Sequence, residues 1–288
     1  MNDLLVIDDS IFREDFAKRP FRIRHRLAGH PYFSLERIAA VLPKLPADRV
    51  EYNAGDVPVN ATYGSIQHNG LTPEETIRRI EERRSWMVLK NVEKDEDFGG
   101  MLEECLDEVA ERSESIEPAM GVREGYVFVS SPGSVTPYHI DPEHNFLLQI
   151  RGTKTIHLFD GGDRSVLSDE ELERFYTGGG RNLVFREELQ KRARTYVLKP
   201  GDGLYFPVTH PHWVKNGPEP SISFSITFRT PATAARDRLY KMNAALRSIG
   251  VPFVRPGAVP ALDRAKLVAF EVGRVAKRFF ANEPAFAG

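Results

Sequence analysis

The chain has 288 residues, 41% hydrophobic and 28% charged, with a formal net charge of −2. That is ordinary for a soluble globular protein and long enough for a sizeable core without covalent staples. The near-neutral charge leaves no footprint for a nucleic-acid partner, and no stretch approaches the ~20 apolar residues of a membrane span. Cys105 is the only cysteine, so no intramolecular disulfide forms, which fits a reducing, cytoplasmic compartment. The opening MNDLLVIDDS carries acids where a secretion signal would carry bases, so no leader is expected.

Residues 1–122 read as a mixed helical and extended region. Ser34 precedes LERIAAVL, whose Leu35, Ile38, Ala39 and Leu42 fall at helical spacing. Thr72-Pro73-Glu74-Glu75 is a helix start, with Thr at the N-cap, Pro at N1 and Glu at N3, and the helix is expected to run through Ile77 and Ile80. SWMVLKNV, residues 85–92, reads as a short buried strand, and Phe98, Leu102, Leu106 and Val109 mark a further helix.

From residue 123 the texture changes to short β-rich runs bounded by Gly, Pro, Asn and Asp: GYVFVSS, HNFLLQIRG, KTIHLFD, TYVLKPGD, GLYFP, HWVKN and SISFSITF. Many short strands separated by turn signals predict a β-sandwich or barrel over 123–230. Residues 231–248 and 262–280 return to helical periodicity as a C-terminal tail, joined by a Pro- and Gly-rich link.

One cluster in the β region carries chemistry. In an extended chain His139 and Asp141 point to the same face, so both can reach one ion. His212, after a strand and a Pro-broken turn in GDGLYFPVTHPHWVKN, is the best third ligand, with His210 the alternative two residues earlier. Two imidazoles and one carboxylate leave three open octahedral positions, the arrangement of non-haem Fe(II) oxygenases, whereas a closed structural zinc site needs a fourth protein ligand.

TPYHIDPEHNFLLQIRGTKTIHLF followed by GDGLYFPVTHPHWVKN resembles the JmjC and cupin-like 2-oxoglutarate oxygenases, most nearly their asparaginyl-hydroxylase branch. Thr136, Pro137, His139, Asp141, Asn145, Gln149, Ile150, Gly152 and Lys154 match the first block of that pattern, and Gly201, Asp202, Leu204, Tyr205, Pro207 and His212 match the second. The resemblance covers residues 123–230. It implies a mainly β fold with flanking helices, a double-stranded β-helix (a cupin-like jelly roll) holding Fe(II) on His139, Asp141 and His212. It implies 2-oxoglutarate as cosubstrate, with Lys154 pairing its distal carboxylate and Thr136 donating a hydrogen bond to it, and O2 as the oxidant. Asn145 is implied to lie near the metal face. Thr227 stands where that branch carries an Asn beside the cosubstrate, a departure in this chain. Oxygenases of the other branch anchor the cosubstrate with an Arg about ten residues past the distal His. Residues 217–228 hold no Arg or Lys, and Arg229 lies beyond that position, which favours Lys154.

The implied reaction is hydroxylation of a protein or peptide side chain or a small molecule, with demethylation where the carbon is an N-methyl. The competing class is a cupin-fold metal-binding regulatory or ligand-sensing protein without oxygenase activity, since fold alone does not set function. The intact triad with Lys154 argues against a pure binder, which needs no carboxylate anchor beside an open metal site; Lys154 and Thr136 discriminate a third class, a metal-dependent isomerase or dioxygenase that uses no 2-oxoglutarate. The likeness also implies a homodimer through the C-terminal helices. The blander readings are structural roles for His157, which alternates with Ile156 and Leu158, a surface or outer-shell place for His144, and a mobile loop at Gly178-Gly179-Gly180.

Overall fold

Strand β12 (Ser221–Arg229) shows how alternation builds the larger of two sheets. Ile222, Phe224, Ile226 and Phe228 point to one side into the main core, and Ser221, Ser223, Ser225 and Thr227 point to the other. The computed structural model describes residues 3–281 apart from 63, 64 and 83. The other strands are β1 (Leu5–Val6), β2 (Phe21–His25), β3 (Val50–Ala54), β4 (Ser85–Lys90), β5 (Gly121–Ser130) and β6 (Val135–His139). They continue with β7 (His144–Arg151), β8 (Lys154–Leu158), β9 (Arg194–Leu198), β10 (Asp202–Phe206) and β11 (His212–Asn216). Eight strands form one antiparallel sheet in the order β1-β2-β10-β7-β12-β5-β4-β3, and four form a second in the order β6-β11-β8-β9. Leu147, Leu204 and Phe206 of the large sheet pack on Ile156, Leu158, Leu198 and Val214 of the small one. The sheets stay separate, so of the sandwich and barrel readings the structure takes the open two-sheet form of the jelly roll.

Helices cover the outer face of the large sheet. Phe98, Leu102, Leu106 and Val109 of α4 (Glu96–Ser113) are buried there, as their spacing requires. Three shorter helices precede it: α1 (Asp9–Asp15), α2 (Leu35–Ala39) and α3 (Pro73–Arg78). Ser34 caps α2 through Arg37 N, and Thr72 and Glu75 form the expected capping box of α3. Both helices end early. Ala39 and Arg78 are their last residues, and Leu42 and Ile80 bury in the turns that follow. The N-terminal region does more than cover the β core, since β1 to β4 are strands of the large sheet itself.

The chain forms two units, Met1–Val166 with Arg181–Pro231, and Leu167–Gly180 with Ala232–Gly288. The second takes α5 (Asp169–Tyr176), α6 (Pro231–Ser248, from its second residue on) and α7 (Pro260–Ala281). In it Arg247 pairs with Glu173 at 2.7 Å, and Tyr176 stacks on Tyr240. Among the described residues no helix is long and apolar enough to cross a membrane.

The hairpin from β7 to β8 is closed by Gly152 and Thr153, with Gly152 at φ 68°. A Cβ on Gly152 would lie 2.4 Å from the carbonyl oxygen of Pro220, which is backbone and cannot swing away. Gly152→Ala is therefore expected to lower stability by at least the ~1–3 kcal/mol of a strained left-handed residue. A fall in the urea midpoint at unchanged m-value checks this, and an unshifted midpoint contradicts it.

Candidate metal centre

The small sheet brings the two histidines together by register. His212, the first residue of β11, lies directly opposite His139, the last of β6, and their ring centroids are 4.1 Å apart. Asp141 follows His139 by two residues, and its Oδ2 is 3.5 Å from His139 Nε2 and 3.6 Å from His212 Nε2. Among the described residues these three make the one group of His, Cys, Asp or Glu whose ligand atoms converge, all within 4.8 Å of one another. His210, the alternative ligand, lies outside that group and lines a surface cavity with Lys18, Arg192 and Arg194.

The surroundings prepare the three side chains for a cation. Nδ1 of His139 donates to Pro137 O at 2.7 Å, and Nδ1 of His212 donates to His210 O at 3.0 Å. Each bond fixes the tautomer that leaves Nε2 bare and turned to Asp141, the second-shell pattern of metal-bound histidine. Burial, with His139 close by, pushes His212 down to about 3, so its ring stays neutral. Burial alone would raise the Asp141 carboxyl, but Arg181, His139 and His212 outweigh it and hold Asp141 far below the usual carboxylate range. Arg181 reaches Asp141 Oδ1 at 3.1 Å, on the side away from the imidazoles. Two imidazoles and one ionised carboxylate suit a divalent metal of the Fe(II) type.

Two backbone irregularities set this geometry. Between the His212–His139 and Val214–Thr136 pairs, β6 moves three residues while β11 moves two, so β6 carries a bulge at Pro137-Tyr138. Without the extra residue Thr136 and His139 would face opposite sides. With it, both face the inner space. On the other strand, Thr209 is buried in the left-handed region at φ 57°, and its N–H donates to Asp141 O at 2.8 Å. That bond ties the turn ahead of His212 to the carboxylate residue.

The remaining sequence-predicted residues fall in two places. Lys154 opens β8, opposite Asn216, while Leu158 at the other end of β8 lies opposite His212. Lys154 and His212 thus share the inner face, roughly 13 Å apart along the strands at about 3.3 Å per residue. Lys154 is 5% exposed, with Nζ 5.5 Å from the Phe128 ring centroid. Its ammonium has no hydrogen bond or ion pair among the described residues, and burial pushes its pKa down to about 7. Asn145 and Thr227 are not in the small sheet. They lie opposite each other on β7 and β12, on the face turned toward it. Asn145 Oδ1 accepts from Ser225 Oγ at 2.8 Å, and Thr227 Oγ1 donates to Glu124 O at 3.2 Å.

Several neighbours escape sequence reasoning. Glu143 pairs with Arg229 at 2.6 Å, and burial together with the Asp141 charge pushes its carboxyl up to about 7. The only signal was its place two residues after Asp141. Phe206 lies 4.9 Å from His212 in the ring-to-ring sense. His144, expected at the surface or outer shell, is buried between Phe16 and Phe228, bonded to Tyr205 Oη at 2.8 Å and Glu117 at 3.1 Å. His157 is structural, on the outer face and stacked 3.9 Å from Trp213.

The cupin-like domain family matches residues 35–234, and the chain belongs to that family. A lysine-specific demethylase 8 of Danio rerio is 32% identical over 102 residues, 33% of this chain and 24% of that protein. JmjC domain-containing protein D of Dictyostelium discoideum is 36% identical over 101 residues, 33% of this chain and 22% of that protein. The matched span is thus about a quarter of those relatives' length. Escherichia coli ycfD has a solved structure with TM-score 0.56 and 17% identity, covering 99% of this chain and 70% of its own. The structure of YcfD, described as a ribosomal oxygenase from Escherichia coli, in complex with cobalt and 2-oxoglutarate gives TM-score 0.52 at 17% identity, covering 98% of this chain and 69% of its own. The cupin-like kinship and the jelly-roll fold read from the sequence are borne out.

Asp141→Ala and His212→Ala are expected to weaken divalent metal binding by about a hundredfold or more, since each removes one of three ligands. His210→Ala should bind as the wild type does. Equilibrium dialysis with Co(II) decides it, and a loss in His210→Ala equal to that in His212→Ala would reverse the assignment.

Proposed function

We propose that the chain is an Fe(II)- and 2-oxoglutarate-dependent oxygenase that hydroxylates a substrate C–H. The observation that carries this reading is Lys154, a buried ammonium with no anionic partner among the described residues, on the inner face that carries His139 and His212. A buried, unpaired charge is unfavourable unless a ligand completes it. A dicarboxylate that chelates a metal at one end presents its other carboxylate to that lysine. A ligand-sensing cupin has no comparable need for both features.

Metal and cosubstrate together supply the oxidising power, and the protein's residues supply placement. His139, Asp141 and His212 would hold Fe(II) on one face and leave the others open. Lys154 would fix the far carboxylate of 2-oxoglutarate, with Thr136 donating a hydrogen bond to it from the inner face of β6. Asn145 and Thr227 would wall the space from the large sheet. Leu147, Leu204, Val214 and Ile156 keep the region between the sheets apolar, which strengthens the lysine–carboxylate pairing.

Similarity to a lysine-specific demethylase and to a ribosomal oxygenase favours a protein or peptide side chain as substrate, with a small molecule the second choice. Hydroxylation at an N-methyl carbon would give demethylation. A cytoplasmic setting fits the buried, unpaired Cys105 thiol, whose pKa burial raises well above its ordinary value. We also assign a homodimer to the α7 face that exposes Leu262, Val268 and Val272. Val268→Glu/Val272→Glu should turn a dimer in size-exclusion chromatography into a monomer, and a monomeric wild type removes the assignment.

Fe(II), ascorbate and air should release succinate from 2-oxoglutarate with the wild type and not with Asp141→Ala or Lys154→Ala. No succinate from wild-type protein carrying bound Fe(II), with or without added peptide, would overturn the oxygenase reading.

The sign of the pH dependence follows from Lys154. Its folded pKa, about 7, lies below the unfolded 10.5. The unfolded chain therefore binds more protons between those values, so this group makes folding more favourable as pH rises from 7 to 10.5. Binding of 2-oxoglutarate needs the charged form, so affinity should fall as pH rises above 7, by up to about tenfold per unit. Calorimetry in two buffers of different ionisation enthalpy should show proton uptake near pH 8. An affinity flat from pH 6.5 to 9 contradicts this.

A further inference from the structure

Asn216, the last residue of β11, was singled out by no sequence signal. It is 4% exposed and directly opposite Lys154 on the inner face. Its Nδ2 donates to Ser134 O at 3.1 Å and to Ser134 Oγ at 2.9 Å. A carbonyl oxygen can only accept, so these contacts fix which end of the amide is nitrogen. The Oδ1 end is fully buried and has no hydrogen-bond partner among the described residues. One pair of facing residues thus holds an acceptor without a donor and an ammonium without an acceptor.

We infer that Asn216 is a positioning residue for the cosubstrate anchor: its Oδ1 takes one of the three Lys154 N–H donors and aims the others at a carboxylate bound between the sheets. The inference rests on the oxygenase reading above. The chemistry of the donors decides the arrangement. A carboxylate offers no N–H or O–H, so it cannot satisfy Asn216 itself. Lys154 has donors to spare, and directly opposed cross-strand residues on one face have Cβ atoms about 5 Å apart, within a lysine's reach. The other groups facing Lys154 are Leu198 from β9 and Phe128 from β5, neither of them ionisable. Asn216 would then orient the ammonium as the ligand's carboxylate binds and draws the charge into place. Ser134 in turn holds Asn216, and its own hydroxyl donates to Ser131 O at 2.8 Å.

The test is calorimetric titration of the full chain loaded with redox-inert Mn(II), using 2-oxoglutarate and oxalate as probes. Oxalate keeps a metal-chelating end and lacks the carboxylate that reaches Lys154. Asn216→Ala should weaken 2-oxoglutarate by about tenfold and leave oxalate within about twofold. Asn216→Asp should weaken 2-oxoglutarate further, because its carboxylate captures the ammonium. Asn216→Ala/Lys154→Ala should be no weaker than Lys154→Ala alone, the mark of a residue acting through another. If Asn216→Ala does not fold, Asn216→Ser keeps a donor for Ser134 and is read by the same outcomes. Unchanged 2-oxoglutarate affinity in a folded variant overturns the inference and leaves the oxygenase reading standing. Equal loss of both probes also overturns it, because it marks a structural role only. A wild type that binds oxalate but no 2-oxoglutarate overturns the proposed function and this inference with it.

Discussion

The pairing of His139 with His212 across β6 and β11 is the contact on which the site depends. Opposed residues of an antiparallel pair are held by backbone bonds on both sides, so their separation does not rest on side-chain freedom. Asp141 then needs only an extended step to reach both rings. The backbone carbonyls that orient the imidazoles come from the same two segments, Pro137 and His210. One sheet edge therefore sets the ligand positions and the tautomers together. A shift of one residue between these strands would undo both.

The rest of the first unit serves to keep that edge in place and dry. Thr209 accepts an unfavourable backbone angle and gains the bond to Asp141 O, and Arg181 fills the Asp141 oxygen that faces away from the rings. Across the gap β12 presents Ser221, Ser223, Ser225 and Thr227 beside the apolar Leu147, Leu204 and Phe206 elsewhere in the large sheet. Its opposite face is packed with Phe33, Phe98, Phe224 and Phe228 against the helices. A rigid apolar layer behind the small hydroxyl side chains of β12 leaves room for a compact anion without softening the wall that faces it.

What could be read from the chain was what is local in it. HxD in an extended run, the HPH that follows a turn, and Gly152 in a tight hairpin each express chemistry within a few residues. The strand periodicities of 123–230 did the same, as did the Thr72 capping box. The rest depends on partners far away. β2 pairs with β10 nearly two hundred positions on, so FRIRH carried no mark of belonging to the sheet. The bulge that turns Thr136 inward is visible only once β11 is laid beside β6. Glu143 meets Arg229, and His144 meets Glu117 and Tyr205, through folding alone. The surface place offered for His144 fails because aromatic rings on both sides bury it, while its exclusion as a ligand agrees with the structure. Asn216 was silent for the same reason, since an asparagine before a Gly-Pro turn is ordinary until its oxygen is found with nothing to bond.

The alternation of β12 has a consequence for how such a protein diversifies. Ser-Ile-Ser-Phe-Ser-Ile-Thr-Phe assigns every second residue to the space between the sheets and the others to the hydrophobic core. Inserting or deleting one residue would send phenylalanines into that space and serines into the core for the length of the strand. Point substitutions are tolerated here far better than changes of length. Variation in what the protein accepts is thereby channelled into the loops, where added residues disturb no register, while the strands behave as a gauge whose spacing descendants inherit unchanged.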